Sequence, residues 1–136
     1  MIENAIYQLL SNDAQLSALL SASSVFHTEK PTDKNPEHYV IHYPLYESRP
    51  KDLALASLPR ETDYRVQCYS QNFERSRQMF DGVEKLLNAY KGDVAGVRIG
   101  RITLNGSTPG SEPQANNAVP LYSITATFKI NYTNVE

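Results

Sequence analysis

The chain has one cysteine and no tryptophan in 136 residues. A single thiol, Cys68, leaves no internal disulfide and no cysteine cluster for a metal, and it suits synthesis in a reducing cytoplasm. No apolar run approaches the roughly 20 residues that cross a bilayer, so no membrane association is expected. Met1-Ile2-Glu3-Asn4 lacks the basic region and apolar core of a signal peptide, and none is expected. Positive charge is not in excess either: 13 Lys and Arg stand against 15 Asp and Glu, a formal net charge of -2. Tight nucleic-acid binding draws on a basic face that releases counterions from phosphates, and this balance argues against it. Hydrophobic residues make up 40% and charged residues 21%, the profile of a soluble globular chain. The length fits a single domain over residues 1–136.

The most informative stretch runs from Thr62 to Lys91. Tyr64, Val66 and Cys68 alternate with Arg65 and Gln67, the period of a half-buried strand. The period then changes: Phe73, Ser76, Phe80, Val83, Leu87 and Tyr90 recur every three or four residues and predict one helix stripe. Ser70 or Asn72 is placed to cap its start, and Gly92 its end. Upstream, Ile2, Ile6, Leu9 and Leu10 predict a helix. Asp13 would fall on the apolar stripe of one unbroken helix, and burying a lone carboxylate is costly. A kink and a second short helix, capped by Asn12 with Gln15 in the capping-box position, are therefore expected. Val25-Phe26-His27 and Tyr39 to Tyr43 read as strands, the second closed by Pro44.

Residues 45–60 read as a long charged loop. From Asp93 to Asn105 a strand is expected whose pattern slips, because Val97 and Ile99 have one parity and Ile102 and Leu104 the other. A β-bulge at Gly100 would return all four to one face. Residues 106–118, rich in Gly, Pro and Ser, read as a mobile loop. Tyr122 to Tyr132 alternates cleanly and completes an antiparallel hairpin. The sum is an α+β fold: a mostly antiparallel sheet with a long helix and an N-terminal helix packed on one face.

No constellation for catalysis emerges. His38 and His42 point to one side of a strand, but roughly 13 Å apart they cannot share an ion. They read as a strand-end histidine and a surface one, and His27 stands alone. Cys68 alternates with core positions and has no neighbouring histidine in sequence, so it reads as a buried structural thiol. Glu61 and Asp63 sit at a strand start, where solvated charges are common. Gly106-Ser107-Thr108-Pro109-Gly110 lacks the lysine and following helix of a phosphate-binding loop. No catalytic residue, cofactor or metal ligand is assigned. Tyrosine, at 9 residues, is abundant and clusters on predicted strands, which fits β-propensity or a face that meets another subunit.

The order of segments resembles a known family. The helical run Ile6 to Leu20, the strand at Val25-Phe26, the proline-bearing approach to Tyr39-Val40-Ile41, and the Tyr64-Arg65-Val66-Gln67-Cys68-Tyr69-Ser70 strand with its amphipathic helix resemble the tail-completion, or head–tail joining, proteins of long-tailed bacteriophages. Those are related in fold to tail terminators. The resemblance implies a non-enzymatic virion protein, assembled in the host cytoplasm. It would form a homo-oligomeric ring, a hexamer in that family, at the head-proximal end of the tail. Its partners would be further copies of itself, the tail tube protein and the head-completion or connector protein, with DNA passing through the lumen without specific binding. The two long loops would then carry the contacts, through Tyr46, Arg49, Lys51, Asp52 and Arg60 in one and Ser107, Thr108, Glu112, Gln114 and Asn116 in the other. The alternatives are a ligand- or peptide-binding module outside any virion, using the same sheet and loops, and an enzyme of unknown type, for which the missing constellation speaks least.

Overall fold

The computed structural model describes residues 2–20, 24–27, 37–48, 60–114 and 117–134. Three helices and six strands form among them: α1 (Ile2–Asn12), α2 (Ala14–Leu19), β1 (Val25–His27), β2 (His38–Ser48), β3 (Arg60–Ser70), α3 (Phe73–Leu87), β4 (Gly92–Val94), β5 (Val97–Gln114) and β6 (Asn117–Asn134). The strands make one sheet in the order β1-β2-β3-β6-β5-β4. β1 runs parallel to β2, and the other neighbours are antiparallel.

This corrects the expected fold class. Strands hold most of the described residues, the sheet is mixed and curled into a half-barrel, and the helices are short. The α3 helix is 15 residues long and stops at Leu87, before the expected end near Lys91. The sheet is larger than foreseen because residues 106–118, expected to be a mobile loop, continue the β5–β6 ladder. Gly106 pairs with Thr127, Thr108 with Thr125, Gly110 with Ser123 and Gln114 with Asn117. The proline at 44 likewise fails to end β2, which continues to Ser48 with a register shift between Pro44 and Tyr46. β1 reaches only His42, so no strand among the described residues flanks β2 on that side at Pro44, a setting that tolerates a missing N–H.

The core lies between the helices and one face of the sheet. Ile2, Ala5, Ile6 and Leu10 of α1, Leu16 of α2, and Met79, Val83 and Leu87 of α3 meet Val40, Tyr64, Val66, Cys68, Ile99, Ile102, Ala126, Phe128 and Ile130. The strict alternation of β3 and β6 delivers their even-numbered residues to this side. The bulge expected at Gly100 is present, since the β5–β6 register shifts between Ile99 and Arg101, and Ile99 and Ile102 are both buried. β4 and β5 are separate strands, not the single one foreseen. Ala95 and Gly96, both at positive φ (51° and 78°), join them in a two-residue turn of the kind that matches strand twist.

The helical break before α2 is also as expected, but its cap sits one residue later. Asp13, not Asn12, accepts the Leu16 N–H at 2.9 Å. This also explains why Asp13 is not a buried charge. At α3, Asn72 Oδ1 accepts the Arg75 N–H at 3.0 Å, while Ser70 Oγ accepts the Asn72 N–H at 3.0 Å. The helix ends at Asn88, and Ala89 at φ 67° takes the left-handed position expected of Gly92. Asn72→Ala is expected to lower stability by about 1 kcal/mol in urea unfolding. A change within error would mean that Ser70 or water satisfies the same N–H.

Candidate functional site

Two features stand out from the bare fold: a projecting hairpin and a polar cleft beside α1. β3 ends at Ser70, opposite Tyr122 of β6, which pairs in turn with Ser111 of β5. Past that line, among the described residues, β5 and β6 pair only with each other, as far as Gln114 and Asn117, so they form a two-stranded arm beyond the end of β3. Its root is braced from α3, where the Phe73 ring meets Tyr122 edge-on at 5.7 Å and Arg77 lies over Phe73 at 5.9 Å. Phe73 nonetheless remains 43% exposed, so this residue of the expected helix stripe serves the arm and not the core.

The outer edge of β5 changes character along its length. β4 covers it from Val97 to Ile99. The turn after α3 then takes over, with Ala89 N–H donating to the Ile102 carbonyl at 2.7 Å and Leu104 N–H donating to Asn88 Oδ1 at 3.1 Å. From Gly106 onward no strand among the described residues lies along it.

The described ones among the ten expected contact residues are spread along the sheet. Ser107 and Thr108 are exposed on β5, and Glu112 and Gln114 belong to the arm, opposite Leu121 and Asn117. Tyr46 and Arg60 lie near the other end, paired with Asp63 and Tyr132. Arg49, Lys51, Asp52 and Asn116 lie outside the described residues. The register sets Tyr46 beside Asp63 and Ser107 level with Val66, roughly 10 Å further along the strands, whereas Glu112 lies past Ser70, roughly 25 Å from Tyr46, so only the arm residues are remote from Tyr46 and Arg60. On the face away from the helices, Phe26, Tyr39 and Ile41 form a second buried cluster, with Tyr43, Tyr69 and Leu121 packed against it. Tyr39 and Tyr69 stack with ring centres 4.9 Å apart. Tyr39 is one of the tyrosines that could have marked a subunit face. At 6% exposure it is largely packed within the chain.

The cleft, of about 370 Å³, is lined by Glu3, Asn4 and Tyr7 of α1, His27 of β1 and His42 of β2. His42 is not a surface histidine, as the sequence suggested. It is fully buried on the core side, and its Nδ1 lies 2.6 Å from the Tyr64 hydroxyl. Burial, helped by nearby His27, pulls its pKa down to about 4, so it is neutral near pH 7. Burial and, to a lesser extent, the Glu3 carboxylate push the Tyr64 phenol well above its ordinary range. His38, by contrast, bonds Ser70 Oγ through Nδ1 at 2.8 Å. Sequence spacing tied His42 to His38, whereas the sheet pairs it with His27. Nothing local in the sequence reveals a parallel register between strands so far apart. Cys68 is buried as expected, its thiol pushed up to about 12 by burial, which removes the thiolate a nucleophile needs. Glu61 pairs with Lys129 at 3.4 Å, on the exposed side of the sheet.

No protein-family profile matches the chain, and no curated protein sequence does. Among solved structures, the fold is similar to that of a chain in the "Virion of native gene transfer agent (GTA) particle". The TM-score is 0.68 at 16% sequence identity, over 96% of this chain and 92% of that chain.

Proposed function

We propose that this chain is a structural subunit of a phage-like virion, acting in a ring at the head-proximal end of the tail. The observation that carries the reading is the likeness of the whole fold to a chain of a gene transfer agent virion. The tail-completion resemblance in the order of segments points the same way, and the absence of a basic excess suits a channel that must let DNA pass. In this reading six copies close the ring, which completes or terminates the tail tube and presents a surface to the head connector. The roughly 25 Å along the strands between Tyr46 and the arm supports a division of labour. The Tyr46–Arg60 end meets one partner, and the arm carrying Glu112 and Gln114 meets another.

Electron microscopy of a lysate with this gene disrupted tests the reading. Filled heads beside free tails of normal length support joining, and overlong tubes support termination. Normal infectious particles overturn the virion reading in favour of a binding module. A finer variant removes residues 112–121 and closes Ser111 to Tyr122 with an Asn-Gly turn, which preserves the ladder below it. The shortened chain is expected to fold, losing only the strand signal of the deleted residues, and to abolish assembly of infectious particles. Wild-type titre from it would remove the arm from the contact surface.

A further inference from the structure

Cross-strand pairing puts His27 directly beside His42 at the cleft, with ring centres 5.5 Å apart and planes inclined by 52°. Adjacent residues on paired strands are always near one another, so proximity alone says little. The second observation is the state of His42 Nε2: it is buried, and it has no hydrogen-bond partner among the described residues. With Nδ1 held by Tyr64, Nε2 is the ring's remaining polar atom, and an unsatisfied buried polar atom is costly. The cleft lined by His42 is also where a carboxylate, Glu3, lies. A negative wall disfavours an anion and favours a cation. Imidazole nitrogens select among cations, being suited to zinc, copper or nickel and not to magnesium or calcium.

We propose that His27 and His42 form an open two-imidazole site for a divalent transition-metal ion of the zinc type, with Glu3 lending charge from the cleft wall. The ring spacing fits. An ion about 2.0–2.1 Å from each nitrogen, at tetrahedral to trigonal angles, puts the two ring centres roughly 5–5.5 Å apart. Tyr64 is then a positioning residue. In that site its hydroxyl oxygen accepts a hydrogen bond from His42 Nδ1–H, which fixes the tautomer that offers Nε2 as a lone pair. No group of three or more His, Cys, Asp or Glu side chains among the described residues could hold a metal ion, so Glu3 is not a third ligand and the other coordination positions belong to water or to a group from another molecule.

The test is calorimetric titration of the purified full chain with zinc chloride after chelator treatment. The variants are His27→Gln, Tyr64→Phe and, as a control away from the cleft, His38→Gln. The wild type and His38→Gln are expected to bind one ion per chain with equal affinity. His27→Gln, altering an exposed side chain, is expected to fold normally and to lose saturable binding. Tyr64→Phe is expected to weaken binding by about 10–100-fold, with circular dichroism verifying that it folds. Absence of saturable binding by the wild type, undiminished binding by His27→Gln, or equal loss in His38→Gln would each overturn the site. The titration uses the isolated chain, so its outcome is independent of any tail phenotype.

Discussion

Acidification from pH 7.5 to pH 5 is expected to cost the fold about 2 kcal/mol through His42 alone, and on the order of 3 kcal/mol once the pH passes below 4. Unfolded, the imidazole titrates near its ordinary 6.5, whereas folded it titrates near 4. Above about pH 6.5 both states are neutral and His42 adds no pH dependence. Between the two values the unfolded chain takes up a proton that the folded chain refuses, so stability falls as the pH is lowered through this window. Below about 4 both states are protonated and the loss levels off. The groups facing His42 are His27 from β1, Tyr64 from β3, and Glu3 and Tyr7 from α1. Urea unfolding at a series of pH values, with His42→Asn as the comparison, measures the effect. The variant should lose most of the slope between pH 7 and 5. Parallel wild-type and variant slopes would show that some other group carries the acid sensitivity.

Phe128→Ala is expected to be costlier still, about 3–5 kcal/mol, enough to consume much of the stability of a domain this size. Phe128 is fully buried on β6, between Tyr64 of β3 and Leu104 of β5. It belongs to the cluster in which Met79, Val83 and Leu87 of α3 meet the sheet. Truncation would leave a void bounded by two strands whose ladder bonds keep them from closing it. Phe128→Leu, which retains most of the volume, should lose markedly less. A cost below about 1 kcal/mol for the alanine variant in thermal or urea unfolding would mean that α3 settles onto the sheet without this ring.

How much of this was readable in the sequence depended on burial. β3 and the main part of β6 carry one buried and one half-buried face, so their residues alternate and declare the strand. The bulge at Gly100 was legible for the same reason, because two apolar pairs of opposite parity need one extra residue to share a face. The far half of β5 gave no such signal. Ser107, Thr108, Pro109, Gly110 and Ser111 are all exposed, so nothing selected an alternating pattern, and the composition resembled a loop. Ladder pairing with β6 is a nonlocal fact that composition does not carry. The fold class went astray through these same residues, since counting 106–118 as loop shrank the sheet and made α3 look dominant. At the site, burial and the Tyr64 hydrogen bond decide the character of His42, and the β1–β2 register decides that of His27. Asn88 was hidden in the same way: it ends α3 and also receives an N–H from β5.

The prolines at 109 and 113 carry a consequence for the chain on its own. An open strand edge is an invitation to any passing backbone, and concentrated chains with bare edges zip into fibres. Pro109 lies in the uncovered stretch of β5, and Pro113 falls at a register shift. Each leaves the strand one donor short, and the shift bends it out of line. Interrupted in these two ways, the outer edge of β5 is a poor template for a further strand.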